Sequence, residues 1–242
     1  LLHAVVGVIA YDGFFMARVF RNARTLQSEL YDIRTIYENK NIPALLDTFI
    51  TMAPEITNLY EDLKKPIVIP HLPYLRHQVA ALRTLFNALH STVDDMLPLA
   101  YELKKILALM PSSALHFADV PQSVKKEILA RIVKQAPSFA AFTSHLQGTI
   151  MTLRNLDQVK LVPSFATHIA TTHTYLTQLA QGALKAQVLI DILPHMAGYP
   201  HEQSYLLLFM NNFELRPGGG FIGTYGVVKV GNGEVLEITT DD

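Results

Sequence analysis

The feature that most constrains the fold is a long alternation of three- and four-residue steps between apolar side chains, which occupies most of the chain up to Pro194. A mean step of about 3.5 residues places these side chains on one stripe of an α-helix, where they pack against a neighbouring helix. The alternation occurs in four segments: 19–37, 45–63, 75–107 and 165–193. Residues 121–156 are also helical in pattern, with a period closer to about 3.6 residues. We therefore predict a mainly α chain with five long helices.

Proline-containing stretches separate the predicted helices: "ENKNIP", "KKPIVIPHLPYL", "MPSSALHFADVPQ" and "DQVKLVPS". Proline lacks the amide donor and clashes with the preceding turn, so it ends helices or begins them. Pro54, Pro98 and Pro137 fall inside continuous patterns, and we expect a kink or a short break at each. Because short connections favour antiparallel neighbours, we predict an elongated antiparallel helical bundle or coiled-coil stalk over residues 14–195. Such a bundle either buries its own core or serves as a spacer that pairs with a second copy.

The N-terminal segment Leu1–Tyr11 contains no Asp, Glu, Lys or Arg. It is shorter than the roughly 20 residues that a membrane-spanning helix needs, so we interpret residues 1–20 as the end of a transmembrane helix. The alternative is the start of a buried or amphipathic helix, since His3 and Asp12 interrupt the apolar run. Three arginines follow: Arg18, Arg21 and Arg24. Taken alone they would place the downstream side in the cytoplasm, but residues upstream can outweigh them, so the orientation stays open.

Composition removes several classes of function. The net charge is −1, so there is no electrostatic reason to expect nucleic acid as the main partner. Cysteine is absent, which excludes disulfides, thiolate catalysis and cysteine-ligated zinc. The histidines show no metal-binding spacing, and no nucleophile elbow or phosphate-binding Walker loop occurs. We therefore expect no metal, no cofactor and no catalytic residue in this chain.

The pattern changes from helix to strand after Pro194. The run "SYLLLFMNN" is short, continuous and apolar, as in a strand buried on both faces. Two further β-rich runs flank Asn232-Gly233, a dipeptide that tolerates the positive φ of a hairpin turn. We predict strands at Tyr205–Asn211, Phe221–Val230 and Glu234–Thr240. We interpret residues 203–242 as the first strands of a truncated α/β or α+β domain whose remainder follows Asp242.

The stretch "NNFELRPGGGFIG" is the one candidate site in the sequence. Consecutive glycines expose backbone N–H groups that favour anions, and an arginine adds a fork suited to phosphate. The candidate anion- or phosphate-binding residues are Asn211, Asn212, Glu214, Arg216, Gly218, Gly219 and Gly220. In this interpretation Glu214 orients Arg216 or helps to hold a divalent cation. The alternative is structural: the glycines form a tight strand connection, and Glu214 and Arg216 form a pair.

The longer stretch "YLLLFMNNFELRPGGGFIGTYGVVKVGNGEV" resembles the signature of a bacterial family catalogued as domain of unknown function 4012. Matching positions are Asn211, Asn212, Glu214, Leu215, Arg216, Pro217, Gly219, Gly220, Phe221, Ile222, Gly223 and Gly226. Two positions depart from the pattern. Gly218 stands where the family more often has Thr or another small residue, and Met210 stands where Gln is common. Upstream, the helices and the proline-rich break "IPHLPYL" are similar to the general layout of the family.

The resemblance implies a protein at the bacterial cell membrane, anchored through its N-terminal segment, with most of the chain extracytoplasmic. It implies an extracytoplasmic globular domain, which the helical stalk would present for binding. The chemistry of the motif adds a cell-wall or glycan phosphate as the expected ligand, and the helical stripes add a homo-oligomer as one arrangement. A more distant analogy with LytR–CpsA–Psr phosphotransferases implies an alternative: an envelope enzyme that acts on lipid-linked pyrophosphates with Mg²⁺. That analogy is one of fold alone.

Overall fold

The structure, a computed structural model, describes residues 10–19, 21–22, 36, 39, 41–73, 75–111, 117–156, 163–216 and 219–241. Residues 10–19 are helical, and four long helices and three strands follow. The elements are α1 (Ile42–Lys64), α2 (Arg76–Leu109), α3 (Gln122–Asn155), α4 (Pro163–Met196), β1 (Gln203–Arg216), β2 (Gly219–Gly231) and β3 (Glu234–Asp241). The chain is thus mainly helical and ends in a three-stranded antiparallel sheet, which confirms the predicted fold class.

The chain forms two compact units, and the first comprises Leu1–Lys104 and Ser138–Leu184. One core cluster of this unit joins α2, α3 and α4 through apolar residues. Its fully or nearly fully buried members include Leu85, Phe142, Leu146, Leu153, Ile169 and Leu176. The predicted periodicity therefore identified the members from α3 and α4 named here, whereas Leu85 of α2 lies beside its predicted stripe and the stripe residue Leu103 is 40% exposed.

A second core cluster of the first unit joins the helical segment 10–19 to α1 and α2. Its members are Val19, Met52, Ala53, Ile56, Leu59, Leu63, Phe86 and Val93. Leu59 and Leu63 are completely buried, as the stripe of α1 predicts. The first predicted helix, 19–37, falls almost entirely outside the described residues.

Helix α1 has the sequence signals of a helix start. The Asn41 side chain accepts a hydrogen bond from Ala44 N at 3.1 Å, and a proline occupies the first turn. An asparagine in this position satisfies one of the amides that a helix start leaves unpaired. The helix therefore begins within the "ENKNIP" stretch, which the sequence predicted to separate the first two helices.

The prolines inside the helical patterns do not break them. Pro54 lies within α1, Pro98 within α2 and Pro137 within α3, and each helix continues through its proline. Of the two expected outcomes, a kink or a short break, the break does not occur at any of the three prolines, because the packing of a long apolar stripe outweighs one lost backbone hydrogen bond.

The second unit comprises Lys105–Pro137 and Lys185–Asp242, so it contains the whole sheet. Strand β2 lies in the middle and pairs antiparallel with β1 on one side and β3 on the other. Asn232 and Gly233 have φ of 53° and 79°, which confirms the predicted hairpin turn between β2 and β3.

Within the described part of the chain, none of the helices combines the length and the apolar character needed to cross a bilayer. Residues 1–9 and 20 of the predicted membrane segment, 1–20, are not among those described.

Candidate functional site

The candidate motif lies in the hairpin formed by β1 and β2. Strand β1 continues through Arg216, well beyond the predicted end at Asn211, and β2 begins at Gly219. Arg216 is paired with Gly219 and Leu215 with Gly220, so these two glycines belong to the antiparallel ladder. The predicted strands were therefore too short at this end, because glycine is a weak strand former in isolation but pairs well enough beside a long partner.

The ladder is irregular where the motif begins. Its register shifts between Phe209 and Met210, and again between Asn211 and Leu215. Such bulges add a residue to one strand and re-aim the side chains that follow. Pro217 and Gly218 lie outside the described residues, and the structure describes only the backbone of Asn211–Arg216, so the proposed anion contacts stay a prediction.

The opposite end of the sheet is held by the C-terminus of α4. Gly198 has φ of +69°, Gly198 N donates to His195 O at 3.0 Å and Tyr199 N donates to Pro194 O at 2.9 Å. These bonds form the Schellman arrangement that closes a helix with glycine. A Cβ atom at Gly198 would lie 2.1 Å from Val230 O, so the position admits glycine alone.

The turn between β2 and β3 binds directly to this helix end. Asn232 N donates to Gly198 O at 3.1 Å, and Gly233 N donates to Ala197 O at 2.7 Å. Tyr205 Oη, at the start of β1, donates to Met196 O at 2.8 Å. The negative end of the α4 dipole thus meets three donors from the sheet.

A buried ammonium group adds a second attachment. The side chain of Lys125 in α3 is 3% exposed; its Nζ donates to Glu234 Oε1 at 2.7 Å and to Ala118 O at 2.8 Å. The same Nζ lies 5.9 Å from the centre of the Phe117 ring. An ammonium group so deeply buried needs these partners, since an unpaired one would be costly to desolvate.

Sequence reasoning missed the Lys125–Glu234 pair, whose members are 109 positions apart. One signal was available. Lys125 lies near the start of α3, where the helix dipole disfavours a cation. A partner outside the helix offsets this unfavourable placement.

The sheet also exposes much apolar surface. Exposed large side chains of β1 are Leu206, Leu207, Leu208, Phe209 and Met210, and those of β3 are Val235, Leu236 and Ile238. Because successive residues of a strand point to opposite faces, both faces of the sheet are apolar and accessible. The run "YLLLFM", predicted to be buried on both faces, is therefore uncovered within the described chain.

Charged groups on the sheet form exposed pairs. Lys229 Nζ donates to Glu237 Oε2 at 2.5 Å across β2 and β3, and this hydrogen bond raises the pKa of Lys229. Tyr225 Oη donates to Asp241 Oδ2 at 3.1 Å. No group of three or more acidic or histidine side chains suited to a metal ion occurs among the described residues.

The comparisons with known proteins point to the same end of the chain. The family described as "Protein of unknown function (DUF4012)" matches residues 201–242, which confirms the resemblance to that family. The match begins just before β1 and includes the whole sheet. No curated protein and no solved structure gave a significant match.

Proposed function

We propose that this chain, whose residues 201–242 match a family of unknown function, is a non-enzymatic binding protein of the cell envelope. The helices hold the sheet at one end, and the candidate motif at the other end of the sheet binds a ligand. The observation that carries this proposal is the difference between the two ends of the sheet in the second unit. The turn at Asn232–Gly233 is bonded to the end of α4, whereas the motif lies at the other end of β2.

The separation of the two ends is large. Strand β2 spans Gly219–Gly231, and at about 3.3 Å per residue it is about 40 Å long. The residues that hold the sheet are therefore distinct from those proposed to bind. A change in the motif can alter binding without loosening the attachment at Gly198, Lys125 and Glu234.

The proposed ligand is an anion, namely the phosphate or pyrophosphate of a cell-wall or glycan component. Arg216 supplies a permanent positive charge and a fork that matches phosphate oxygens. Asn211 and Asn212 supply neutral donors, and Gly218–Gly220 let the backbone approach closely. Glu214 holds Arg216 in place or helps to bind a divalent cation such as Mg²⁺.

The proposed location is the cell membrane, with the N-terminal segment as anchor and most of the chain outside the cytoplasm. The uncharged run Leu1–Tyr11 and the family resemblance support this placement. Fractionation of cells that make the natural protein, followed by protease treatment of intact cells, tests it. Recovery in the soluble fraction would contradict the anchor.

The binding proposal is tested by calorimetric titration with inorganic pyrophosphate and with a polyprenyl pyrophosphate analogue, each with and without Mg²⁺. We expect Arg216→Ala to weaken binding at least about tenfold, since a bidentate contact to a charged group is worth about 1.5–3 kcal/mol. Arg131→Ala, on α3, is the matched control and should bind as the wild type does. Equal affinity of the wild type and Arg216→Ala, or no binding by either, would rule out the anion site.

A further inference from the structure

Strand β1 is an open edge of the sheet. In the part of the chain that the structure describes, β1 pairs with β2 alone, so one row of its N–H and C=O groups faces outward. Leu206 is 62% exposed, Leu208 is 52% exposed and Phe209 is 49% exposed. An exposed, long and apolar edge of this kind is a template for another strand.

The other edge, β3, has the features that prevent such pairing. It carries Glu234, Glu237 and Asp241, and the ladder between β2 and β3 has a register shift after Lys229. Charged side chains and bulges are the usual protection of edge strands. In contrast, no Asp, Glu, Lys or Arg occurs in residues 203–213 of β1. Strand β1 also carries Glu214 and Arg216 and has register shifts, but all of these come after Phe209. Residues 203–209 are therefore the uncharged and regularly paired stretch of the two edges, and this stretch is the one suited to receive a strand.

The sequence of the open edge is symmetric about Leu207. Leucines stand one residue away on each side, at 206 and 208, and aromatic residues stand two away, at Tyr205 and Phe209. A strand with this pattern is complementary to a second copy of itself in the antiparallel direction. We propose that β1 pairs with β1 of a second copy of this chain, with Leu207 on the two-fold axis.

The proposed register matches side chains of like character. Leu206 of one copy lies opposite Leu208 of the other, and Tyr205 lies opposite Phe209. Cross-strand aromatic and aliphatic pairs of this kind stabilise antiparallel ladders. The two residues of each pair are separated by an even number of positions, so their side chains point to the same face of the strand. A two-fold axis perpendicular to the sheet therefore keeps each pair on one face.

Charge does not oppose this association. The nearest charge before the strand, Glu202, falls opposite Asn212 of the second copy and not opposite another carboxylate. The net charge of the chain is −1, so two copies repel each other weakly. Pairing of the two described sheets gives one continuous sheet in which β1 is an interior strand and its outward N–H and C=O groups are hydrogen-bonded.

The first test is the mass of the whole 242-residue chain in solution, measured by sedimentation over a range of concentrations. We expect a species of twice the 27.0 kDa chain mass. Leu207→Lys places two ammonium groups at the axis and should return the protein to the monomer mass. Ile238→Lys is the matched control, because Ile238 is also an exposed aliphatic residue but lies on β3, and it should leave the dimer intact. Circular dichroism confirms that both variants keep the fold.

The second test uses the absence of cysteine from the chain. In Leu207→Cys the two thiols meet at the axis, where paired Cα atoms of antiparallel strands lie about 4.5–5.5 Å apart, within disulfide range. Mild oxidation should therefore give a covalent dimer. Ile238→Cys, treated in the same way, should remain a monomer on a denaturing gel.

Three outcomes would overturn the proposal. The first is a wild-type chain that is monomeric at every concentration; the reaction of the Leu207→Cys variant with a maleimide then shows whether other parts of the same chain cover the edge. The second is a dimer that survives Leu207→Lys. The third is cross-linking of the Ile238→Cys variant but not of Leu207→Cys, which would place the contact on β3. A loss of pyrophosphate binding would leave all of these readouts unchanged, so this inference does not depend on the anion ligand.

Discussion

At the scale of single residues, two glycines show how differently one residue type is used. Gly198 has φ of +69° and would place a Cβ atom 2.1 Å from Val230 O. Gly148, inside α3, has no atom within 4 Å of its Cβ position. The first glycine is required both by backbone conformation and by the approach of β2, whereas the second only weakens its helix.

This contrast gives a prediction with an internal control. Gly198→Ala should lower the free energy of unfolding by about 2–4 kcal/mol, because it combines an unfavourable φ with a clash against the backbone of β2. Gly148→Ala should raise it by about 0.5–1 kcal/mol, since alanine is the better helix former. Urea unfolding followed by circular dichroism measures both. A Gly198→Ala protein as stable as the wild type would contradict the described contact with Val230.

One of the three arginines that follow the N-terminal segment has a structural role. Arg18, which by its position suggested a membrane orientation, lies with its Nε 2.7 Å from Oδ2 of the buried Asp62. Lys65 Nζ is 2.8 Å from the other oxygen of the same carboxylate. Because an ion pair accounts for Arg18, its charge is weak support for any particular topology.

At the scale of elements, one carboxylate attaches the N-terminal helical segment to the turn after α1. The Asp12 side chain is fully buried and accepts hydrogen bonds from the amides of Ile67, Val68 and Ile69 at 2.7, 2.7 and 2.8 Å. Desolvation acts to raise the pKa of Asp12, but these three bonds outweigh it and hold the pKa below its usual 3.8.

The sign of the pH dependence follows from that shift. A carboxylate with a lowered pKa in the folded state stabilises the fold above its unfolded pKa, and this contribution is lost as the pH falls through the folded pKa. We expect the stability difference between the wild type and Asp12→Asn to be constant from about pH 5 to 8 and to shrink below about pH 4. Denaturant unfolding at each pH measures the difference.

Asp191→Asn, at an exposed position of α4, is the control for a general effect of removing a carboxylate. It should change stability little at any pH, since exposed charges contribute little. A difference between wild type and Asp12→Asn that does not depend on pH would show that the charge of Asp12 is not what holds the segment.

The elements themselves could be predicted from the sequence where the cause is local. The stripe of α1 identified Leu59 and Leu63 as core, and the Asn232-Gly233 dipeptide identified the hairpin turn. The strand ends near Arg216 and Gly219 could not be predicted, because the pairing of one strand with another decides whether glycine continues a strand. The same holds for helices that continue through proline, where packing decides.

At the scale of the whole molecule, some features of the candidate site and of the sheet that carries it could be predicted from the sequence, and others could not. The residue types of the site could be recognised as a motif, because the chemical properties of arginine, asparagine and glycine do not depend on the fold. The attachment that holds the opposite end of the sheet was not visible. Lys125 and Glu234 are 109 positions apart, and Asp12 is 55 positions from Ile67, so only the folded chain brings them together. Local pattern predicts what an element offers, and tertiary structure decides what it contacts.

The residues that the family matches and the compact unit that contains them have different boundaries, and a last prediction follows from this difference. The match covers 201–242, but the second unit also includes Lys105–Pro137 and begins again at Lys185. A lone three-stranded sheet with exposed apolar faces is marginal in water, and its turn would lose the partners at Ala197 and Gly198. We expect a peptide of residues 201–242 to lack the dispersed amide resonances of a sheet or to aggregate. The whole chain, measured under the same conditions, should show protected amides at Asn232 and Gly233. A folded, monomeric peptide would mean that the sheet is stable without α4, and that the bonds at the helix end position the sheet without being needed to form it.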